Sequence, residues 1–159
     1  MSAPDHAMRR RDRELSEAEA WAILDKASWG VLATAGFDGW PYAVPLNHAL
    51  VDGALILHCA TSGHKLDNLA GDTRVSYCVV TEVEVLPAEL STRYESAIVF
   101  GKATLIHDEA AKRQALEAFG QRFAAGHPEA VAAEINKDLF RTAVLRISVE
   151  RVTGKARRS

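Results

Sequence analysis

The amino-acid sequence predicts a mainly β fold flanked by short helices, with about six strands, most of them antiparallel. Two Asp-Gly pairs, Asp38-Gly39 and Asp52-Gly53, separate three apolar runs, and such pairs supply the positive-φ residues of tight hairpin turns. Near the end of the chain, Ala143, Leu145, Ile147 and Val149 alternate with Val144, Arg146, Ser148 and Glu150, the period of a strand with one buried face. So many apolar strand positions favour a small closed barrel over an open sheet. The apolar surface is generous for 159 residues, so a dimer is expected.

The elements follow in order. After a polar leader (1–13), Ser16-Glu17-Ala18-Glu19 has capping-box spacing and predicts a helix to about Ala27 that buries Trp21, Ile23 and Leu24. Residues 30–34 read as a strand, the return through 42–46 as its partner and 54–59 as the next, a three-run antiparallel meander. The segment GHKLDNL predicts a helical turn or two ended by Gly71, and 75–81 another strand. The polar stretch 82–96, which contains Pro87, reads as a long irregular connection. A strand over 96–106 carries Gly101 as an expected bulge. Asp108 can cap a helix to about Ala125 that places Leu116, Phe119 and Phe123 on one face, and a helical patch at 128–136 precedes the last strand. A single domain is expected over 14–155, followed by a basic tail at 156–159.

The net charge of −2 gives no global attraction to nucleic acid or to an anionic membrane. The basic clusters MRRRDR (8–13) and KARRS (155–159) read as solvated, partly mobile ends, since no aromatic residues interleave them as a nucleic-acid arm would want. Neither a signal-peptide pattern nor an apolar run of transmembrane length is present, so a cytoplasmic protein is expected, with no membrane partner. Cys59 and Cys78 then read as packing residues, with a disulfide open only if their strands are neighbours.

Among chemistry-bearing patterns, no GxSxG elbow, Walker loop, dinucleotide fingerprint or zinc knuckle occurs. His58 and Cys59 are consecutive strand residues pointing to opposite faces, so they do not share a metal ion, and no metal site is expected. One segment stands out. The run ATSGHKLDNL (60–69) follows the apolar strand and opens a helix, whose first N–H groups and positive dipole end suit a phosphate. Thr61, Ser62 and Lys65 would complete such a seat, although Ser62 could equally cap its own helix and Lys65 sit in solvent. In STRYES (91–96), Arg93 offers a planar two-pronged donor and Ser96 a hydroxyl, with an ion pair to Glu95 or a loop carboxylate the competing reading for Arg93.

The blocks RDREL, GVLATAGFDGWPYAVPLNHAL, DGALILHCATSGHKLDNL, TEVEVLPAELSTRYESAIVFGKA and RTAVLRISVERVTGK, taken in this order, resemble the FMN-binding split-barrel proteins related to pyridoxamine 5′-phosphate oxidase. The nearest branch is that of the NimA-like nitroimidazole-resistance reductases, and the likeness runs from Arg9 to Lys155. The resemblance implies a six-stranded antiparallel split β-barrel with Greek-key connections, assembled as a homodimer with two FMN sites at the interface. It implies that Val44, Pro45, Leu46 and Asn47 lie along the isoalloxazine, that Ala60, Thr61, Ser62, His64, Lys65 and Asn68 hold the phosphate and ribityl chain, and that Arg93, Tyr94, Glu95 and Ser96 complete the site from either subunit.

The reaction implied is electron transfer from a small-molecule donor to a small acceptor such as a nitro compound or quinone, with a non-catalytic flavin- or haem-binding module as the alternative. The closing SVERVTGKARRS lacks the arginine, histidine and tryptophan set with which the true oxidases grip their vitamin B6 substrate, so that oxidation is not expected. Flavin supplies the redox chemistry, so no protein nucleophile is required. His48, His58 and His64 are the titratable residues placed near the site, with His64 the candidate catalytic group on the substrate side. Haem and deazaflavin remain alternative cofactors, haem because of these histidines. Trp29, Trp40, Tyr42 and Tyr94 are candidates for stacking.

Overall fold

A computed structural model describes residues 3–158; Met1, Ser2 and Ser159, the outermost positions of the expected leader and tail, lie outside the described residues. The elements run β1 (Glu14–Leu15), α1 (Glu17–Lys26), β2 (Trp29–Ala35), β3 (Pro41–Asn47), β4 (Ala49–Val51), β5 (Ala54–Ala60), α2 (His64–Gly71), β6 (Arg74–Leu86), β7 (Ser91–Leu105), α3 (Glu109–Ala124), α4 (Pro128–Asp138) and β8 (Thr142–Arg157). All strand pairs are antiparallel, in the order β3-β2-β6-β7-β8-β5-β4, with β1 on β8. The expected six strands become eight among the described residues because two short ones, β1 and β4, pair as well.

The order of strands explains the barrel. β3 and β4 lie at opposite ends of the sheet, yet only His48 separates them in the chain. One residue spans about 3.8 Å, so the sheet must curl until its two ends meet. The ends do not pair, which makes the barrel split rather than closed. The expected three-run meander is corrected here. The Asp38-Gly39 and Asp52-Gly53 turns each close a hairpin, β2–β3 and β4–β5, but the middle run breaks at His48 and serves the two edges. The connection from β5 through α2 to β6 then carries the chain across the β6-β7-β8 meander, in Greek-key fashion.

A second correction concerns 82–96. The stretch is not irregular: β6 runs on to Leu86 and β7 starts at Ser91, joined by a short 3-10 turn at Pro87–Glu89. Pro87 is tolerated because it falls at the first turn position rather than in the ladder. A register shift between Thr81 and Glu84, with Glu82 at φ 50°, absorbs the extra residues. The bulge expected at Gly101 is present as a shift between Phe100 and Gly101, where a Cβ would meet Ser148 O at 2.2 Å.

The interior of the barrel holds Leu32, Leu55, Leu57, Tyr77, Val79, Val99, Leu145 and Ile147, and Ala20, Ile23 and Leu24 of α1 pack into it. α1 starts as expected: Ser16 Oγ accepts from Glu19 N while the Glu19 carboxylate accepts from Ser16 N at 2.9 Å. Outside the barrel, Ala49, Ile56 and Val144 face Leu116, Phe119, Ile135 and Leu139 of the α3–α4 layer. β8 is therefore apolar on both faces at Val144 and Leu145, where one buried face was expected. Asp108 Oδ1 caps α3 at Ala111 N, 2.8 Å, but Phe123 stays 45 % exposed.

Candidate functional site

β5 delivers the chain to Ala60, and Thr61, Ser62 and Gly63 turn it into α2. Gly63 sits at φ 134°, a conformation open to glycine, and no side chain caps the helix. Ser62 is thus not the cap it could have been. The first N–H groups of α2 and the exposed hydroxyls of Thr61 and Ser62 have no hydrogen-bond partner side chain among the described residues. Lys65, half-buried one residue into the helix, makes neither a hydrogen bond nor an ion pair among the described residues. Its charge favours the Cys59 thiolate, but burial outweighs this and raises the Cys59 thiol. Uncapped N–H groups, two hydroxyls and an unpaired ammonium make an anion seat.

β3 meets this seat. The rings of Tyr42 on β3 and His64 on α2 lie 4.1 Å apart, tilted by 35°. Asn68, buried on the inner face of α2, donates from Nδ2 to Thr34 Oγ1 at 2.9 Å and ties the helix to β2. That bond holds α2 in place and engages the amide expected to face a ligand.

On β3, Val44 and Leu46 pack inward while Pro45 and Asn47 are exposed. Because β3 pairs only with β2, alternate backbone groups face away from the sheet and are available to a planar heteroaromatic edge. The Leu46 carbonyl already accepts from Tyr77 Oη at 2.7 Å, and Asn47 Nδ2 donates to Ser28 O at 2.8 Å.

Arg93, Tyr94, Glu95 and Ser96 are not brought to this seat within the chain. Tyr42 lies level with Thr34, Val75 and Gly101 across the ladder, and Arg93 is eight residues farther along β7, about 25 Å of strand. There Arg93 pairs with Glu84 of the neighbouring strand at 2.8 Å, and not with Glu95. Glu95 accepts from Arg158 at 2.7 Å, and Ser96 Oγ donates to Lys155 O at 3.3 Å.

The histidines separate just as clearly, and their expected grouping around one site is corrected. His48, fully buried at the β3–β4 corner, has Nε2 2.7 Å from Leu24 O and Nδ1 3.0 Å from Tyr77 Oη, so both ring nitrogens are engaged. His58 points to the α3–α4 layer, edge-on to Phe119 at 4.7 Å, while Cys59 packs into the barrel. The opposed faces expected for His58 and Cys59 are therefore seen. No cluster of three metal-ligating side chains occurs among the described residues. Cys59 and Cys78 lie on strands that do not adjoin and are free thiols. No helix of the described residues is long and apolar enough to cross a membrane.

The sequence offered no sign of the Thr34–Asn68 and His48–Tyr77 bonds, whose partners lie 34 and 29 residues apart. It was equally silent on a groove between α4 and the β5–β8 edge, lined by His58, Phe119 and Ile135. Only the inward phase of Tyr77 on its strand hinted at a buried hydroxyl in need of partners.

Comparison with known proteins places the architecture. A family model described as pyridoxamine 5′-phosphate oxidase matches residues 16–156. A FAD- and haem-binding protein from Mycobacterium smegmatis superposes with a TM-score of 0.77 at 26% identity, over 92% of this chain and 74% of that one. The flavocytochrome Anf3 from Azotobacter vinelandii gives 0.79 at 22% identity, over 97% and 73%. A Bacteroides thetaiotaomicron protein with a proposed role in 5-nitroimidazole antibiotic resistance gives 0.72 at 22% identity, over 94% and 95%. No curated protein matches the chain.

Proposed function

The chain belongs to the pyridoxamine 5′-phosphate oxidase family, and from that premise we propose that it is a flavin-dependent oxidoreductase acting as a homodimer. The observation that carries this reading is the start of α2, where an uncapped helix end, Thr61, Ser62 and the unpaired Lys65 form a seat for the flavin phosphate. Relatives that bind FAD, or FAD and haem, on the same fold support it. A bound flavin would supply the electron transfer.

The chain's own residues bind and orient. Lys65 and the α2 N–H groups hold the phosphate, and the alternate β3 backbone groups that face away from β2 meet the polar edge of the ring. Tyr42 and His64 form an aromatic wall beside it. His64 is exposed and has a ring nitrogen free to hand a proton to a reduced acceptor, such as a nitro compound or quinone. Oxidation of vitamin B6 is not part of the proposal.

A second copy is part of it. The outer face of β3, β2, β6 and β7 carries a row of Pro45, Val31, Cys78 and Ile98 in register, with Trp29 and Val80 exposed by 57 % and 51 % beside it. A contiguous apolar sheet face of this kind marks an interaction surface. The Arg93 hairpin, too far from its own seat, would reach that of the partner.

Lys65→Ala tests the seat. It removes a charge-assisted contact, so FMN affinity should fall by about 1.5–3 kcal/mol, roughly 10- to 150-fold in Kd, while riboflavin, which has no phosphate, keeps its affinity. Equal losses for both ligands, or none for either, would remove Lys65 from the proposal. Visible absorption of the purified protein is the companion measurement: flavin bands support the reading, and a Soret band overturns it in favour of haem.

A further inference from the structure

We propose that the outer face of the sheet carries a second small-molecule site, for a neutral ring compound with a hydrogen-bond-accepting oxygen, and that residues 4–6 form a strap across its mouth. The cavity measures about 510 Å³, within the usual range of small-molecule sites. Ala33, Pro41, Ser76 and Phe100 line it from the sheet, and Pro4 of the leader lines it from above. Thr61, Ser62 and Lys65 lend it nothing, so it is separate from the seat at the start of α2.

Register builds both the floor and the strap. Ala33 pairs with Ser76, Ser76 with Phe100 and Phe100 with Arg151, so the four form one row across β2, β6, β7 and β8. The row shares the outer face with Val31, Cys78 and Ile98, about 7 Å along the strands. Ala33 and Ser76 are short, and the Phe100 ring stands beside them. At the end of the row the Arg151 guanidinium takes hold of the leader. It donates to Pro4 O, donates to His6 O at 3.3 Å and pairs with Asp5 Oδ1 at 2.9 Å. One side chain thus fixes three consecutive residues across the sheet.

The lining selects the ligand. The charged groups at the margin already have partners: Arg74 Nε donates to Asp72 at 2.9 Å, and Lys102 Nζ pairs with Glu150 at 3.3 Å. A charged ligand would lose its hydration there without a free counter-charge, so the occupant is neutral. Phe100 and Pro41 offer flat apolar surface, and Phe100 meets no other ring among the described residues. The Ser76 hydroxyl makes no hydrogen bond among the described residues, which leaves its proton for a carbonyl or nitro oxygen on the occupant.

The test is calorimetric titration of the full chain with menadione, a neutral naphthoquinone, and with 1,4-naphthoquinone-2-sulfonate as its charged counterpart. Menadione should bind saturably, and the sulfonate about tenfold or more weaker. Ser76→Leu fills the floor and should cost menadione about tenfold or more, while FMN affinity, read separately by flavin fluorescence, stays unchanged. Ser76→Ala removes only the hydroxyl and Arg151→Gln only the hold on the leader; each should cost menadione roughly threefold or more. Absence of saturable menadione binding, equal affinity for the two quinones, or wild-type affinity in Ser76→Leu overturns the site. Should Ser76→Leu fail to fold, wild-type affinity in Ser76→Ala overturns it instead. Wild-type affinity in Arg151→Gln overturns the strap. A chain that binds menadione in this pattern but no flavin would overturn the flavin reading and leave this site standing.

Discussion

His48 shows how one residue can hold the split barrel shut. A carbonyl only accepts, so the ring must carry its proton on Nε2 to satisfy Leu24 O. The Tyr77 hydroxyl then has one proton for two acceptors, Leu46 O at 2.7 Å and His48 Nδ1 at 3.0 Å. Protonating Nδ1 would satisfy every contact, but burial works against the charge, as does Arg122 of α3. Burial is the largest influence and the ring's pKa is lowered, although the Leu24 bond and Asp25 of α1 act the other way.

A base whose folded pKa lies below its unfolded value near 6.5 binds more protons when unfolded. Its contribution to stability is complete above 6.5 and is lost as the pH falls toward the folded value. His58 acts with the same sign. Chemical denaturation at pH 7.5 and pH 5 should therefore show a loss of stability on acidification that is smaller, though not absent, in His48→Gln. An equal loss in both proteins would show that His48 does not titrate in this window. At this scale the sequence displayed the residues of the proposed phosphate seat, because Ser62, Gly63 and Lys65 are neighbours in the chain. It could not display the partners of Asn68, Tyr77 or His48, which only folding brings near.

Elements were legible where their signals are local. The capping box of Ser16 and Glu19, the cap of Asp108 and both Asp-Gly turns are contained within a few residues, and each forms. The division of 41–51 into two edge strands was hidden, since nothing local separates His48 from a continuing strand. The β6–β7 hairpin was hidden because its polar residues lie on strands that project beyond the core, where alternation carries no apolar face. Val83, Val85 and Leu90 are 61 %, 67 % and 95 % exposed there. Gly101 marks the opposite case, a bulge announced by one residue. Its missing Cβ lets Ser148 O approach, and Gly101→Ala should cost about 1–3 kcal/mol by forcing the β7–β8 ladder apart. Thermal unfolding checks this; an unchanged midpoint would mean that the bulge relaxes freely.

For the whole molecule, the two halves of the proposed site are joined by covalent distance and by symmetry rather than by proximity in one chain. Thr142 at one end of β8 pairs with Ala60 beside the phosphate seat, and Arg157 at the other end pairs with Tyr94 beside Arg93. A strand of 16 residues spans about 50 Å at full extension, too far for both ends to touch one phosphate. A two-fold dimer removes the difficulty, since each hairpin can cross to the other seat. Lys65→Ala and Arg93→Ala chains should each bind flavin weakly as homodimers. After unfolding and refolding together, half of the dimers are mixed, and each mixed dimer contains one seat with both residues intact. About one quarter of all seats should then regain wild-type affinity. If Arg93 served the seat of its own chain, every seat in the mixture would still lack one residue and titration would recover no tight class.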